Sequence, residues 1–463
     1  MQRLAYLAAL LATATPALAS DGLDGAHMSL WWAAPFAGIL LSIALGPLLA
    51  AHWWHPHYEK AAALWAATAI VPLFATLGGH GAAEVLFHAL ALEYGPFIVM
   101  LFALFTAAGG LNIRGGATGT PLSNTLILAL GAAMASVIGT TGAAMILIRP
   151  LLRANADRAN AAHVAVFFIF LVGNMGGALS PLGDPPLFLG FLRGVDFFWT
   201  TQHLFAPTLL SAGLLLALFF AIDSWRAARE TREAMSREAF AVEGKINLAL
   251  LAIAVAAIAM SGVWKPGSGM TILGVGLETQ NLVRDAILVL VGLASLLLTD
   301  RRTRAETGFE WAPLIEVAVL FAAIFVCIAP VMAMLNAGAA GPFAPLVSLA
   351  TRADGSPDNI VYFWLTGLLS AFLDNAPTYL VFFQMAGGDA ARLMGPLGGT
   401  LAAISMGAVY MGALTYIGNA PNFMVYAIAR DNGVRMPGFF GYMIWSFGIL
   451  IPLFAALTFI FIR

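Results

Sequence analysis

Charge is scarce in this chain. Only 10% of its 463 residues are Asp, Glu, Lys or Arg, and the formal net charge is −2. A chain without a basic excess has no electrostatic footprint for nucleic acid, and no nucleic-acid motif occurs. Cysteine is rarer still. Cys327 stands alone, which excludes an intrachain disulfide, and its apolar setting reads as packing. Missing too are a zinc-protease HExxH, a convincing nucleophile–base pair and a soluble catalytic domain, so no enzyme is expected.

What fills the chain is hydrocarbon. Hydrophobic residues make up 60% of it, and the mean hydropathy is +0.87. Apolar runs of membrane-spanning length recur from end to end. Only helices and closed barrels satisfy the backbone in lipid, and runs of this length specify helices. The fold class expected is therefore an all-α polytopic membrane protein. Residues 1–19 read as a signal peptide: Arg3, then an apolar run, then Ala-Leu-Ala before Ser20. Such a leader places the following chain outside a bacterial inner (plasma) membrane.

Charge then sets the direction of each span. Spans are predicted at 29–51, 61–78, 96–112, 161–195, 204–222, 246–263, 283–299, 311–335, 399–429 and 437–461. Two further segments cannot simply cross. Residues 121–148 are broken at VIGTTGAA and run into Arg149, Arg153 and Arg158. Residues 359–387 are broken at LDNAPT. Reading both as re-entrant hairpins restores the alternation. Leaving Arg3 aside, fifteen Lys and Arg then lie inside and six (193, 265, 284, 352, 392, 463) outside.

The chain also repeats itself. GALSPLGDPP at 177–186 matches GALTYIGNAP at 412–421, with five of ten positions identical and an offset of 235. SVIGTTGAAMILI matches SAFLDNAPTYLVF at an offset of 234. The expectation is two copies of one unit, 29–222 and 246–461, joined by a basic cytoplasmic linker at 223–245. Because the first hairpin enters from inside and the second from outside, the copies are inverted. Inverted repeats with interrupted helices near the midplane belong to secondary transporters.

The interruptions carry the chemistry. Pro181, Pro185 and Pro186 break one span, Pro421 breaks its counterpart, and Pro377 turns the second hairpin tip. Gly183 and Gly418 permit unwound backbone beside Asp184 and Asn419. Ser180 and Thr415 occupy matched positions, and Asn174 lies just upstream of the first break. The tips add Thr140 and Thr141 from one hairpin, Asp374 and Asn375 from the other. Hydroxyls, amides, freed carbonyls and two carboxylates make a hard-oxygen site for Na⁺, with Asp184 and Asp374 as its charged ligands. Burial disfavours a bare carboxylate and a bound cation favours it, so Na⁺ and H⁺ compete for these two groups. The bland alternatives are that Asp184 caps a helix, that Asp-Asn-x-Pro is a turn, and that the threonines and amides serve local backbone. No Lys or Arg lies within the four motifs, which favours cation/proton antiport over carboxylate uptake.

SPLGDPP, DNAP and TYIGNAPN give the chain a resemblance to the ion transporter superfamily. It is most similar to the NhaD-type sodium/proton antiporters and to the bacterial CitMHS-like citrate transporter group. The resemblance implies a homodimer whose protomers each carry a scaffold and a transport domain that moves like an elevator. Divalent-anion members use Ser-Asn-Thr at both tips, where this chain reads GTTG and LDNAPT. The function expected is Na⁺(Li⁺)/H⁺ antiport. The alternative is Na⁺- or H⁺-coupled citrate or carboxylate transport, with arsenite export a minor one. No cofactor is expected beyond Na⁺ and H⁺ as transported or coupling ions. The partners expected are the bilayer, a small ion or carboxylate substrate and a second copy of the chain.

Overall fold

A computed structural model of the protein describes residues 23–115, 118–230 and 241–462. The leader expected at 1–19 and the middle of the linker, 231–240, lie outside the described residues. Among the described residues, nine helices are long and apolar enough to cross a membrane. Strand is confined to short pairings such as Asn112–Arg114 with Ala241–Glu243 and Gly269–Ile272 with Val275–Glu278. The protein is an all-α polytopic membrane protein.

The helices form two groups. Ala34–Leu49, Tyr58–His88, Gly95–Ala108, Ile246–Val263, Thr279–Leu298 and Ala312–Asn336 pack largely on one another. The second group holds the interrupted segments, together with Trp199–Ala227 and Phe439–Leu457. Ala162–Leu171 belongs to this group and is buried from His163 to Leu171 on every side. A helix that is apolar all round is stable only in such a position.

Breaks fall where the sequence offers special backbone. Gly78, at φ 69°, ends the second span and turns the chain. In the first hairpin one residue separates two helices, Pro121–Ile138 and Thr140–Ala154. That residue is Gly139, at φ 83°. The two arms are antiparallel along their length. A Cβ on Gly131 would meet Leu147, and at the mouth the amides of Asn124 and Asn155 exchange two hydrogen bonds of 2.9 Å. In the second hairpin the single hinge residue between Asn359–Leu373 and Asn375–Met385 is Asp374, at φ 102°.

The hinges Gly139 and Asp374 are 235 residues apart, the same offset as the two broken motifs. The hairpin match at 234 is thus one residue out: Thr140 corresponds to Asn375, not to Asp374. Packing repeats at the same spacing. Ser180 donates to the Ser136 carbonyl, and Thr415 donates to the Ala371 carbonyl.

The two hairpins open toward opposite ends of the molecule. The first mouth sits among arginines. There Arg158 pairs with Asp223 and with Glu230, Arg153 donates to the Ile113 carbonyl, and Arg114 pairs with Glu306. The second mouth sits at the other end, where Gln384 donates to Asn336 and accepts from Arg193.

Three details differ from the sequence reading. The helix Trp199–Ala227 continues five residues into the expected linker and buries Asp223 there. Residues 241–243 of that linker pair with 112–114 rather than running free. A β-hairpin forms at 269–278, between Ile246–Val263 and Thr279–Leu298. Its alternation in GMTILGVGLE is a period-2 signal that the search for long apolar runs passed over.

Candidate functional site

The two broken helices meet at their breaks. The first runs from Ala162–Leu171 through a short 3₁₀ turn, Met175–Leu179, to Pro185–Leu192. The second runs from Gly398–Tyr410 through Met411–Leu414 to Ala420–Asp431. Pro185 and Pro186 open the first helix's second half, and Pro421 is the second residue of its counterpart; at these positions proline lacks only an N–H that has no helical partner. Pro377 sits in the first turn of Asn375–Met385, and Pro181 lies in the unwound stretch itself. Glycine is obligatory where the strands of the first break touch. A Cβ on Gly183 would stand 2.0 Å from the Gly177 carbonyl oxygen. Gly418 is held in the same way between Ala371 and Gly412.

Four side chains converge at this crossing. Asp184 Oδ1 accepts from Thr140 Oγ1 at 3.2 Å and from Asn419 Nδ2 at 3.1 Å. Its Oδ2 accepts from Asn375 Nδ2 at 2.5 Å. The four come as two matched pairs, 140 with 375 and 184 with 419. All are buried, with Asp184 1% exposed. Each stands at the start of a helix: Thr140 and Asn375 as first residues, Asp184 and Asn419 as the residues just before. Four helix N-termini, each with partial positive charge, therefore surround one carboxylate.

Asp184 occupies a cap position but does not cap; its side chain makes no bond to its own helix and turns into the pocket. Among the described residues it has no Lys, Arg or His partner. Its three donors are neutral groups bonding to a charged acceptor, each worth about 1.5–3 kcal/mol. They set themselves against a desolvation cost of several kcal/mol. One atom in the pocket is left over: Asn375 Oδ1 is buried and has no hydrogen-bond partner.

The other residues singled out in the sequence are placed as follows. Asp374 is half-buried; its carboxylate accepts from the Ala376 N–H at 3.2 Å and so caps its own helix. Its carboxylate makes no hydrogen bond to the side chains of Thr140, Asp184, Asn375 or Asn419. Asn174 donates to Asn422 Oδ1 at 2.7 Å and to the Ile169 carbonyl at 2.8 Å. Ser180 and Thr415 staple the breaks to the hairpin arms and do not reach Asp184. Thr141 is half-buried and faces a cavity of about 80 Å³.

That cavity runs past Thr140, Gly183 and Pro185, and its walls include Phe105, Pro313 and Leu314. These three lie within two turns of the arginine-rich end, so the space leads from the pocket toward that end. Its lining is mostly apolar, with the Thr140 and Thr141 side chains as polar exceptions. The opposite end is closed by a polar bridge between the two helix groups. Arg193, just past Pro185–Leu192, donates to Glu93 at 2.6 Å and to Gln384 at 3.1 Å, and Gln384 reaches Asn336. Among the described residues, no group of three His, Cys, Asp or Glu side chains could hold a metal ion. A cation at Asp184 would rely on neutral oxygens.

Sequence reasoning missed two clusters. Asn422, one residue beyond GNAP, is not among the candidate ligands that the sequence singles out. Asp223 read as a linker residue and Arg158 as a marker of sidedness, whereas they form a buried pair joined by His163 and Asn124. His163 is fully buried with Nε2 at 2.9 Å from Asp223.

Membrane-crossing helices, two hinged hairpins and two broken helices meeting at a buried polar cluster are the architecture of a multi-pass membrane protein, and the comparisons place it among transporters. The chain belongs to the family described as "Putative citrate transport", whose model matches residues 25–462. Uncharacterised transporters of Mycobacterium bovis and Mycobacterium tuberculosis are each 23% identical to it over 334 residues. Each match covers 68% of this chain and 71% of the relative.

Proposed function

We propose that the protein is a secondary active transporter of a bacterial inner membrane that exchanges Na⁺ or Li⁺ for H⁺ at Asp184. The observation that carries this is a buried carboxylate held by three neutral donors and no basic side chain. Such a group is neutralised either by a proton or by a small cation, and the two exclude each other. Thr140 Oγ1 and the unpartnered Asn375 Oδ1 are the oxygens placed to complete a cation's shell. Asp374, at the same hinge, is the second acidic group at the pocket's edge.

We read the chain as two inverted copies, 29–222 and 246–461. The constant offset of 235 and the opposed hairpin mouths support this. The cavity on the arginine-rich side and the Arg193–Glu93 bridge on the other fit an inward-facing state. An elevator-like transition would open that bridge while the interrupted group slides past the other helices, within a homodimer.

A second reading, cation-coupled citrate or carboxylate transport, draws on the four helix N-termini and on the family's description. Proteoliposomes separate the two. Release of a pH-dye quench on adding Na⁺ supports exchange. Saturable uptake of labelled citrate, with no such response, supports the carrier and ends the exchange reading.

A further inference from the structure

Asn422 is fully buried, and every polar atom of its side chain is committed. Its amide N–H groups donate to the Gly412 carbonyl at 2.9 Å and to the Thr415 carbonyl at 3.2 Å, both in its own break. A carbonyl can only accept, so these two bonds fix which way the amide faces. Its oxygen then has one direction left, and it accepts from Asn174 Nδ2 at 2.7 Å, across on the other break. Asn174 also donates to the Ile169 carbonyl at 2.8 Å, which fixes that amide in turn.

The anchored Gly173–Asn174 corner offers two acceptors to Asn419: the Gly173 carbonyl at 3.1 Å and Asn174 Oδ1 at 3.5 Å. They hold the N–H edge of Asn419 inward, where the same Nδ2 reaches Asp184 at 3.1 Å. The packing leaves no slack. A Cβ on Gly173 would stand 2.8 Å from Asn422 Oδ1, and one on Gly412 would stand 2.9 Å from Asn174 Oδ1. Asn375 is different. Its one hydrogen bond is to Asp184 itself, and its oxygen has no partner.

We propose that Asn422 is a positioning residue of the pocket: by anchoring the Gly173–Asn174 corner it keeps Asn419 donating to Asp184, and leaves Asn375 as the amide free to turn its oxygen toward a cation. This rests on the reading of Asp184 as the exchanging group. Asn422 makes no bond to the carboxylate and acts through the other two amides. The position 235 residues earlier is Leu187, buried and apolar. The substitution Asn422→Leu therefore writes one half's residue into the other.

The test is infrared difference spectroscopy on the full chain in lipid nanodiscs. The carboxyl band of Asp184 is identified by its loss in Asp184→Asn. Asn419→Ala is expected to displace that band, Asn422→Leu to displace it in the same direction, and the double variant to displace it no further than Asn419→Ala alone. Should the leucine variant not fold, Asn422→Ser, which keeps one donor but has no amide oxygen, is expected to give the same displacement. A band at the wild-type position in a folded Asn422 variant overturns the proposal. So does a double variant whose displacement is the sum of the two singles. In proteoliposomes, Asn422→Leu is expected to raise the half-saturating Na⁺ concentration about 10-fold, as loss of an outer partner does at metal sites, with the maximal rate retained. A wild-type protein that moves no protons in response to Na⁺ or Li⁺ removes the exchange reading, while the band displacement still decides the positioning.

Discussion

Asp184 and Asp223 are equally buried and differently kept. Asp223 sits at the first hairpin mouth with Arg158, His163 and Asn124 on its two oxygens, so its charge is matched by a guanidinium. Asp184 sits where the tips meet and has only hydroxyl and amide donors. A matched charge holds helices in register and has no reason to change state. An unmatched one is costly until something neutral or positive arrives. Burial alone therefore does not separate a structural acid from a working one; the identity of its partners does.

Substitution should split the two sharply. Asp184→Asn should lower Na⁺-driven proton movement more than ~100-fold, about 2.7 kcal/mol, while leaving the melting temperature in detergent unchanged or higher. A variant that still exchanges ions would end the assignment of Asp184. Asp223→Ala should do the reverse. The change strips His163 and Asn124 of their buried acceptor and leaves Arg158 paired with Glu230, which costs ~1–3 kcal/mol of stability, seen as an earlier thermal transition and loss of folded yield. If Asp223→Ala were as stable as wild type, the contrast between the two acids would collapse.

The comparison can be sharpened by moving the unmatched charge to its counterpart. Asp184→Asn combined with Asn419→Asp keeps one carboxylate among the same helix starts. It should recover exchange to within ~10-fold of wild type, about 1.4 kcal/mol; no recovery would mean that the two positions are not interchangeable. A smaller effect is expected at the bridge on the far side. Arg193→Gln removes the ion pair with Glu93 and should raise the reactivity of a cysteine introduced at Ala390, which lies beside Gly194, toward impermeant thiol reagents by several-fold. Unchanged reactivity would deny the bridge a role in closing that face. The smallest effect is expected at the second hinge. Asp374→Gly relieves a positive φ of 102° but loses the cap on Ala376. These offset within ~1 kcal/mol, so stability should hardly move. If exchange is lost as well, Asp374 carries ions rather than merely capping.

Much of this was legible in the sequence because apolar surroundings make polar and helix-breaking residues conspicuous. Gly139–Thr140, Asp374–Asn375, Asp184 and Asn419 were all visible as interruptions, and charge alone ordered the spans around them. What could not be read was which interruption touches which. Ser180 and Thr415 look like ligands but bond to neighbouring backbone. Asn422 carries no sequence signal of its role, because the partner that makes it matter, Asn174, lies on the other break. Asp223 was hidden by the basic residues that follow it, which made a helix end resemble a loop. The offset of 234 came from matching residue types at the tips. The backbone instead repeats its hinge, and two unlike residues, Gly139 and Asp374, fill it.

Cys327 sits within Ala312–Asn336 with no exposed surface, its sulfur pointing to the Trp65 carbonyl at 3.4 Å. Maleimides need a thiolate that they can reach, and this sulfur is enclosed within the span. The protein thus comes chemically blank. Probes attached at chosen sites on either face can be read without first stripping out native thiols, so the passage of the pocket from one side of the bilayer to the other can be timed on a nearly unaltered chain.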